Sequence, residues 1–171
     1  MEQDFLLLRK MRQGDEAAME CFVRKYYPDI LKYCILHIWD KHDAEDLAQE
    51  TFERFFRSLG TYRHWGKTKN YLYAIAANLC RNFYKKKKAV LVSEVPEQAE
   101  ESIPVLEEKM DMEAALKKLP YEMREVLVLY YFKNLKLKEI ALVLDIGLPL
   151  VKYRLRRAKE LLAVYLKGGS L

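Results

Sequence analysis

Five cations, Lys152, Arg154, Arg156, Arg157 and Lys159, crowd into eight residues near the end of the chain. Val151, Leu155, Ala158 and Leu162 run between them at i, i+4, i+7 and i+11, an apolar stripe of helical period. A helix packed by its apolar back offers its cationic front to polyanions. Such a front can donate to phosphates or to guanine O6 and N7, and each bidentate base contact discriminates by about 1–3 kcal/mol. A charge run on one helix can also be nothing more than a solvated face. Here the segment EIALVLDI and a short turn precede it, which makes the pair a helix-turn-helix and favours the groove-reading role.

Two further constellations stand upstream. In TYRHWGKTKNY, Tyr62, Trp65 and Tyr71 alternate with Arg63, His64, Lys67 and Lys69. Aromatic faces beside cations suit unpaired nucleic acid, whose bases stack while the charges follow the backbone. The same aromatics could instead be core residues with polar edges, and both readings stand. Four consecutive lysines, Lys85 to Lys88, follow at the expected end of the next helix, where cations also suit the helix dipole. In DAEDLAQETFERFF, Leu47, Thr51 and Phe55 share one helical face, and Asp46, Gln49, Glu50 and Glu53 lie on the others. Paired carboxylates raise the thought of acid–base or metal chemistry. His37, His42 and His64 are scattered, however, and the three cysteines lack metal-ligand spacing. No metal, cofactor or catalytic function is expected. An acidic, partly apolar helix reads best as a protein-docking surface.

The elements that must hold these residues are all helical. Only 6 Gly and 5 Pro stand in 171 residues, too few for a turn-rich β fold. Helices are expected over 2–13, over 16–39 with a break or kink at Pro28, from an N-cap at Asp43 to about 58, and over 67–87. Four more follow at about 109–119, 121–132, 136–144 and 148–166. Residues 89–108 hold six Glu and no Lys or Arg, between blocks of net charge +5 (1–88) and +6 (109–171). They read as a flexible acidic linker between two small helical domains. Cys21, Cys34 and Cys80 each lie in an apolar helical pattern and are expected as buried, reduced thiols. The start of the chain lacks a signal-peptide core, and no apolar run approaches membrane-spanning length, so a cytoplasmic protein is expected.

Taken in order, these pieces resemble the bacterial RNA polymerase sigma factors of the extracytoplasmic-function class, over nearly the whole chain. DAEDLAQETF is similar to that family's region 2.2. The loop 61–71 with YLYAIAANLCRNFYKKKK is similar to regions 2.3 and 2.4, and LKKLPYEMREVLVLYYFKNLKLKEIALVLDIGLPLVKYRLRRAKELL to region 4. The resemblance implies that Asp46, Gln49, Glu50 and Phe52 dock on the β′ clamp helices of core polymerase. It implies that Tyr62, Arg63, Trp65, Lys67, Lys69 and Asn70 line a pocket for a flipped base of the −10 element, with Asn78 on the helix below. Lys152, Tyr153 and Arg156 would face bases of the −35 element, with Arg154, Arg157 and Lys159 nearer phosphates, and region 4 would also meet the β flap. The partners implied are core polymerase, promoter DNA and an anti-sigma factor. Where the family usually has Gly-Thr before the recognition helix's Val, this chain has Pro149-Leu150, and Asp145 stands for the turn's usual Gly. A stand-alone helix-turn-helix regulator is the alternative; it would need neither the acidic helix nor the basic aromatic loop.

Overall fold

The computed structural model describes residues 2–63, 67–94 and 112–167, and every regular element among them is helical. In chain order these are α1 (Glu2–Arg12), α2 (Glu16–Ile38), α3 (Lys41–Ser58), α4 (Thr68–Glu94), α5 (Met112–Lys118), α6 (Tyr121–Leu127), a π-helical turn (Val128–Phe132), α7 (Leu137–Leu144) and α8 (Leu148–Leu166). They form two compact units, residues 1–80 with 142–144 and residues 81–141 with 145–171, so the division falls inside α4. Helix α4 runs to Glu94, six residues into the stretch expected as linker, and residues 95–108 lie outside the described residues. The Lys85–Lys88 run therefore sits inside the helix, which corrects its assignment to a helix end and removes the dipole argument for it.

In the first unit, α1 contributes Leu8 and Met11 to the core, and Gly14 (φ 83°) turns the chain into α2. Asp15 caps α2 as expected, its carboxylate accepting from the Ala18 N–H at 3.1 Å. Helix α2 is continuous through Pro28. A proline inside a helix removes one backbone donor; Phe22, Tyr26, Ile30, Tyr33, Cys34 and His37 are all buried along this helix, and that burial holds it together. The cap of α3 is Asp40, not Asp43: Asp40 Oδ1 accepts from the Asp43 N–H at 3.0 Å. Both residues satisfy the cap-then-acid spacing, and the helix takes the earlier one. The core is aromatic, with Phe22 stacked on Phe55 (centroids 4.8 Å apart, planes at 11°) and Tyr33 against Tyr73 at 5.7 Å. Cys34 and Cys80 are buried with their sulfurs 3.7 Å apart, whereas Cys21 is exposed, contrary to expectation.

In the second unit, α5 and α6 pack against α8. Arg124, almost fully buried, donates to the carbonyls of Leu116 and Lys117 at the end of α5 (3.5 and 3.3 Å), where a helix leaves its carbonyls without internal partners. Glu125 is fully buried and takes Arg81 Nη2 on both carboxylate oxygens at 3.2 Å. Burial pushes its carboxyl above the usual range even against the pull of Arg81. The helix expected over 121–132 widens into π geometry for its last five residues. Between α7 and α8, Asp145 adopts the left-handed conformation (φ 52°) and the Ile146 N–H reaches back to the Ala141 carbonyl at 3.0 Å.

Candidate nucleic-acid interface

Helix α8 is capped by Gly147 without a side-chain bond, and Pro149 lies in its first turn, where the missing N–H is of no consequence. Val151, Leu155, Ala158 and Leu161 are buried; the last of these replaces Leu162, which is half-buried. The stripe drifts by one residue because 3.6 residues per turn does not close on a fixed spacing. Lys152, Tyr153, Arg156 and Lys159 are exposed, and Arg154 and Arg157 are half-buried. The six divide further by what they touch. The Arg156 guanidinium lies 5.8 Å from the Tyr153 ring centre at the surface. Arg157 pairs with Glu160 at 3.1 Å, and Arg154 is close enough to help hold the buried Glu125 carboxyl down. Lys159 stands over both Tyr130 (5.8 Å) and Tyr131 (5.4 Å) of the π turn. A hydrogen bond with Tyr131, then the attraction of that same phenol, raises the Lys159 pKa.

The loop after α3 is built on the aromatic core. Tyr62 stacks on Tyr71 (4.7 Å, 16°), and Phe55 lies 5.5 Å and 5.8 Å from the two rings. Tyr71 is half-buried and donates its hydroxyl to Ser58 Oγ at 3.1 Å. Tyr62 is half-buried, and burial raises its phenol pKa against a bond with the Thr68 side chain. Arg63 and Lys67 are exposed, while Lys69 and Asn70 are half-buried. Lys69 pairs with Asp29 at 3.0 Å and lies 5.9 Å from the Tyr73 ring. Asn78 is exposed on α4, and Trp65 lies outside the described residues. Two residues escaped the sequence reading. Phe5 and Arg12 of α1 join Gly60, Thr61, Tyr62 and Arg63 around an open cavity of about 630 Å³. Arg12 donates from Nε to the Leu59 carbonyl at 3.1 Å and from Nη2 to the Tyr62 carbonyl.

The acidic helix α3 exposes Asp46, Gln49 and Glu53 and half-exposes Glu50, whose Oε1 takes Arg54 Nε and Nη2 at 3.0 and 2.7 Å. Phe52 is a correction. It is 4% exposed and packs with Phe22 at 6.2 Å and Tyr27 at 6.0 Å, so it supports this face from beneath and does not reach its surface. Among the described residues no group of His, Cys, Asp and Glu is placed to hold a metal ion, and no helix is long and apolar enough to cross a membrane.

Comparison with known proteins finds two family models on the chain, Sigma-70 region 2 over residues 22–90 and Sigma-70 region 4 over residues 109–162. The ECF RNA polymerase sigma factor SigM of Bacillus subtilis is 32% identical, over 84% of this chain and 92% of its own length. The RNA polymerase sigma-H factor of Pseudomonas aeruginosa is 28% identical, over 93% of this chain and 91% of its own. Among solved structures, the sigma factor RpoE bound to the anti-sigma factor NepR from Bartonella quintana superimposes with a TM-score of 0.71 at 20% identity, over 86% of this chain and 96% of that one.

Proposed function

The chain belongs to the extracytoplasmic-function class of RNA polymerase sigma factors, and from that premise we propose how its surfaces divide the work of directing core polymerase to promoters. It is a transcription-initiation subunit and not an enzyme. Residues 1–88 form region 2, residues 109–171 form region 4, and 89–108 connect them. Asp46, Gln49 and Glu50 on the exposed face of α3 dock on the β′ clamp helices. Tyr62, Arg63, Trp65, Lys67, Lys69, Asn70 and Asn78 capture and read the −10 element as it opens. Extruding a base costs a few kcal/mol, and a shaped site must offset it. Helix α8 enters the major groove at −35, with Lys152, Tyr153 and Arg156 at base edges and Arg154, Arg157 and Lys159 at phosphates. The protein works in the cytoplasm with polymerase, and an anti-sigma factor covering its docking faces holds it in check.

The observation that carries this reading is the sorting of α8. Its apolar stripe is buried against α5 and α6, and its opposite side presents cations and one tyrosine behind a left-handed turn. The decisive experiment is run-off transcription from genomic fragments with core polymerase and the purified chain. Discrete start sites that require the chain are expected. A core enzyme active with another sigma factor, yet repeatedly without a specific start here, would refute the reading.

A further inference from the structure

Helix α3 ends at Ser58, and its last carbonyls need partners outside the helix. Most find them locally: the Ser58 carbonyl accepts from the N–H groups of Thr61 and Tyr62 (3.1 and 2.8 Å), and the Phe56 carbonyl from the Leu59 N–H (3.2 Å). Beyond the helix end, the carbonyls of Leu59 and Tyr62 take Arg12 instead. One guanidinium thus bridges the two ends of the 59–62 turn, and it comes from a helix 47 and 50 residues away in sequence. Tyr62 is at the same time clamped through its ring on Tyr71. Its backbone is fixed by Arg12 and its side chain by the core. Arg63, the first exposed cation of the loop, follows directly.

We propose that Arg12 is a positioning residue for the −10 loop: by bridging the Leu59 and Tyr62 carbonyls it holds Tyr62 and Arg63 in the arrangement that receives an unpaired nucleotide. It does so from the wall of the cavity it shares with Phe5, Thr61, Tyr62 and Arg63. A planar guanidinium fits this task because its fixed fork can serve two carbonyls at once, whereas an ammonium is a single point donor. Fixing Tyr62 before binding spares the nucleotide that part of the ordering cost. The proposal rests on the assignment of residues 62–70 to the −10 element.

The test uses holoenzyme reconstituted from core polymerase with wild-type, Arg12→Ala, Arg12→Lys or Tyr62→Ala protein. The probe is a single-stranded DNA oligonucleotide carrying the −10 sequence mapped by run-off transcription, against the same oligonucleotide with its key base substituted. Arg12→Ala is expected to cut discrimination between the two about tenfold, the scale of losing charge-assisted bonds. Core binding should stay near wild type and melting should fall only modestly, whereas a merely structural loss would lower core binding along with discrimination. Arg12→Lys should fall in between, and it carries the test if Arg12→Ala does not fold. Wild-type discrimination in both Arg12 variants, with Tyr62→Ala impaired, overturns the role of Arg12 alone. Wild-type discrimination in Tyr62→Ala as well overturns the loop assignment and this proposal with it.

Discussion

Truncating Phe52 to Ala should strongly destabilise the first unit, whereas removing Asp46 and Glu50 together should leave its stability nearly unchanged and abolish polymerase docking. Phe52 is 4% exposed and sits among the rings of Phe22, Tyr27 and Phe56 at 6.0–6.5 Å. Removing a buried aromatic of this kind costs about 3–5 kcal/mol. For a unit near 80 residues, each kcal/mol moves the melting temperature by roughly 4–8 °C. The expected drop is therefore at least about 12 °C. Asp46 is exposed, and the Glu50–Arg54 pair joins half-exposed side chains one helical turn apart. Such a pair contributes about 0.3–0.5 kcal/mol, so the double variant should melt within a few degrees of wild type. Circular-dichroism melting of both proteins, alongside capture on immobilised core polymerase, reads the two effects separately. A Phe52→Ala protein that melts like wild type but no longer binds core would mean that the ring is a contact surface and that the burial argument is wrong.

Two further predictions concern the second unit. Glu125 has its carboxyl raised by burial, so the folded state favours its protonated form. The stability this contributes is fully present below the unfolded carboxyl value and is lost as pH rises through the raised folded one. Glu125→Gln removes that loss, and the stability difference between variant and wild type should grow with pH across the carboxylate range and then level off. Parallel urea-unfolding curves at every pH would contradict it. Asp145 holds a left-handed backbone (φ 52°), where a β-carbon without a polar group to help costs about 1 kcal/mol. Asp145→Ala should accordingly lower the melting temperature and Asp145→Gly should not; equal melting of the two would remove the turn's strain from the account.

What the sequence made legible was periodic. The buried stripe of α8 and the exposure of Lys152, Arg156 and Lys159 follow from spacing alone, to within the one-residue drift from Leu162 to Leu161. Phe52 was legible too, since Ala44, Leu47, Ala48, Thr51, Phe52 and Phe55 form one wide stripe at i, i+3, i+4, i+7, i+8 and i+11. That spacing runs against the surface role the resemblance implies for Phe52. The cap at Asp40 was missed because Asp40 and Asp43 both satisfy a cap's chemistry, and only the hydrogen bond chooses between them. Arg12 had no local signal at all. Its partners are backbone carbonyls about 50 residues away, and carbonyls have no letter in a sequence. The widening at Val128–Phe132 is equally silent, because it changes which carbonyl each amide reaches and not which side chains are apolar.

That widening bears on α8 through rotamer entropy. Fixing a long cation on a phosphate sacrifices side-chain freedom. Lys159 is exposed but stands over the rings of Tyr130 and Tyr131 at 5.8 and 5.4 Å, and that contact takes up part of this freedom when the protein folds. Under the proposed −35 assignment, the two tyrosines would narrow the orientations from which this ammonium meets a phosphate, so their effect on binding would be entropic.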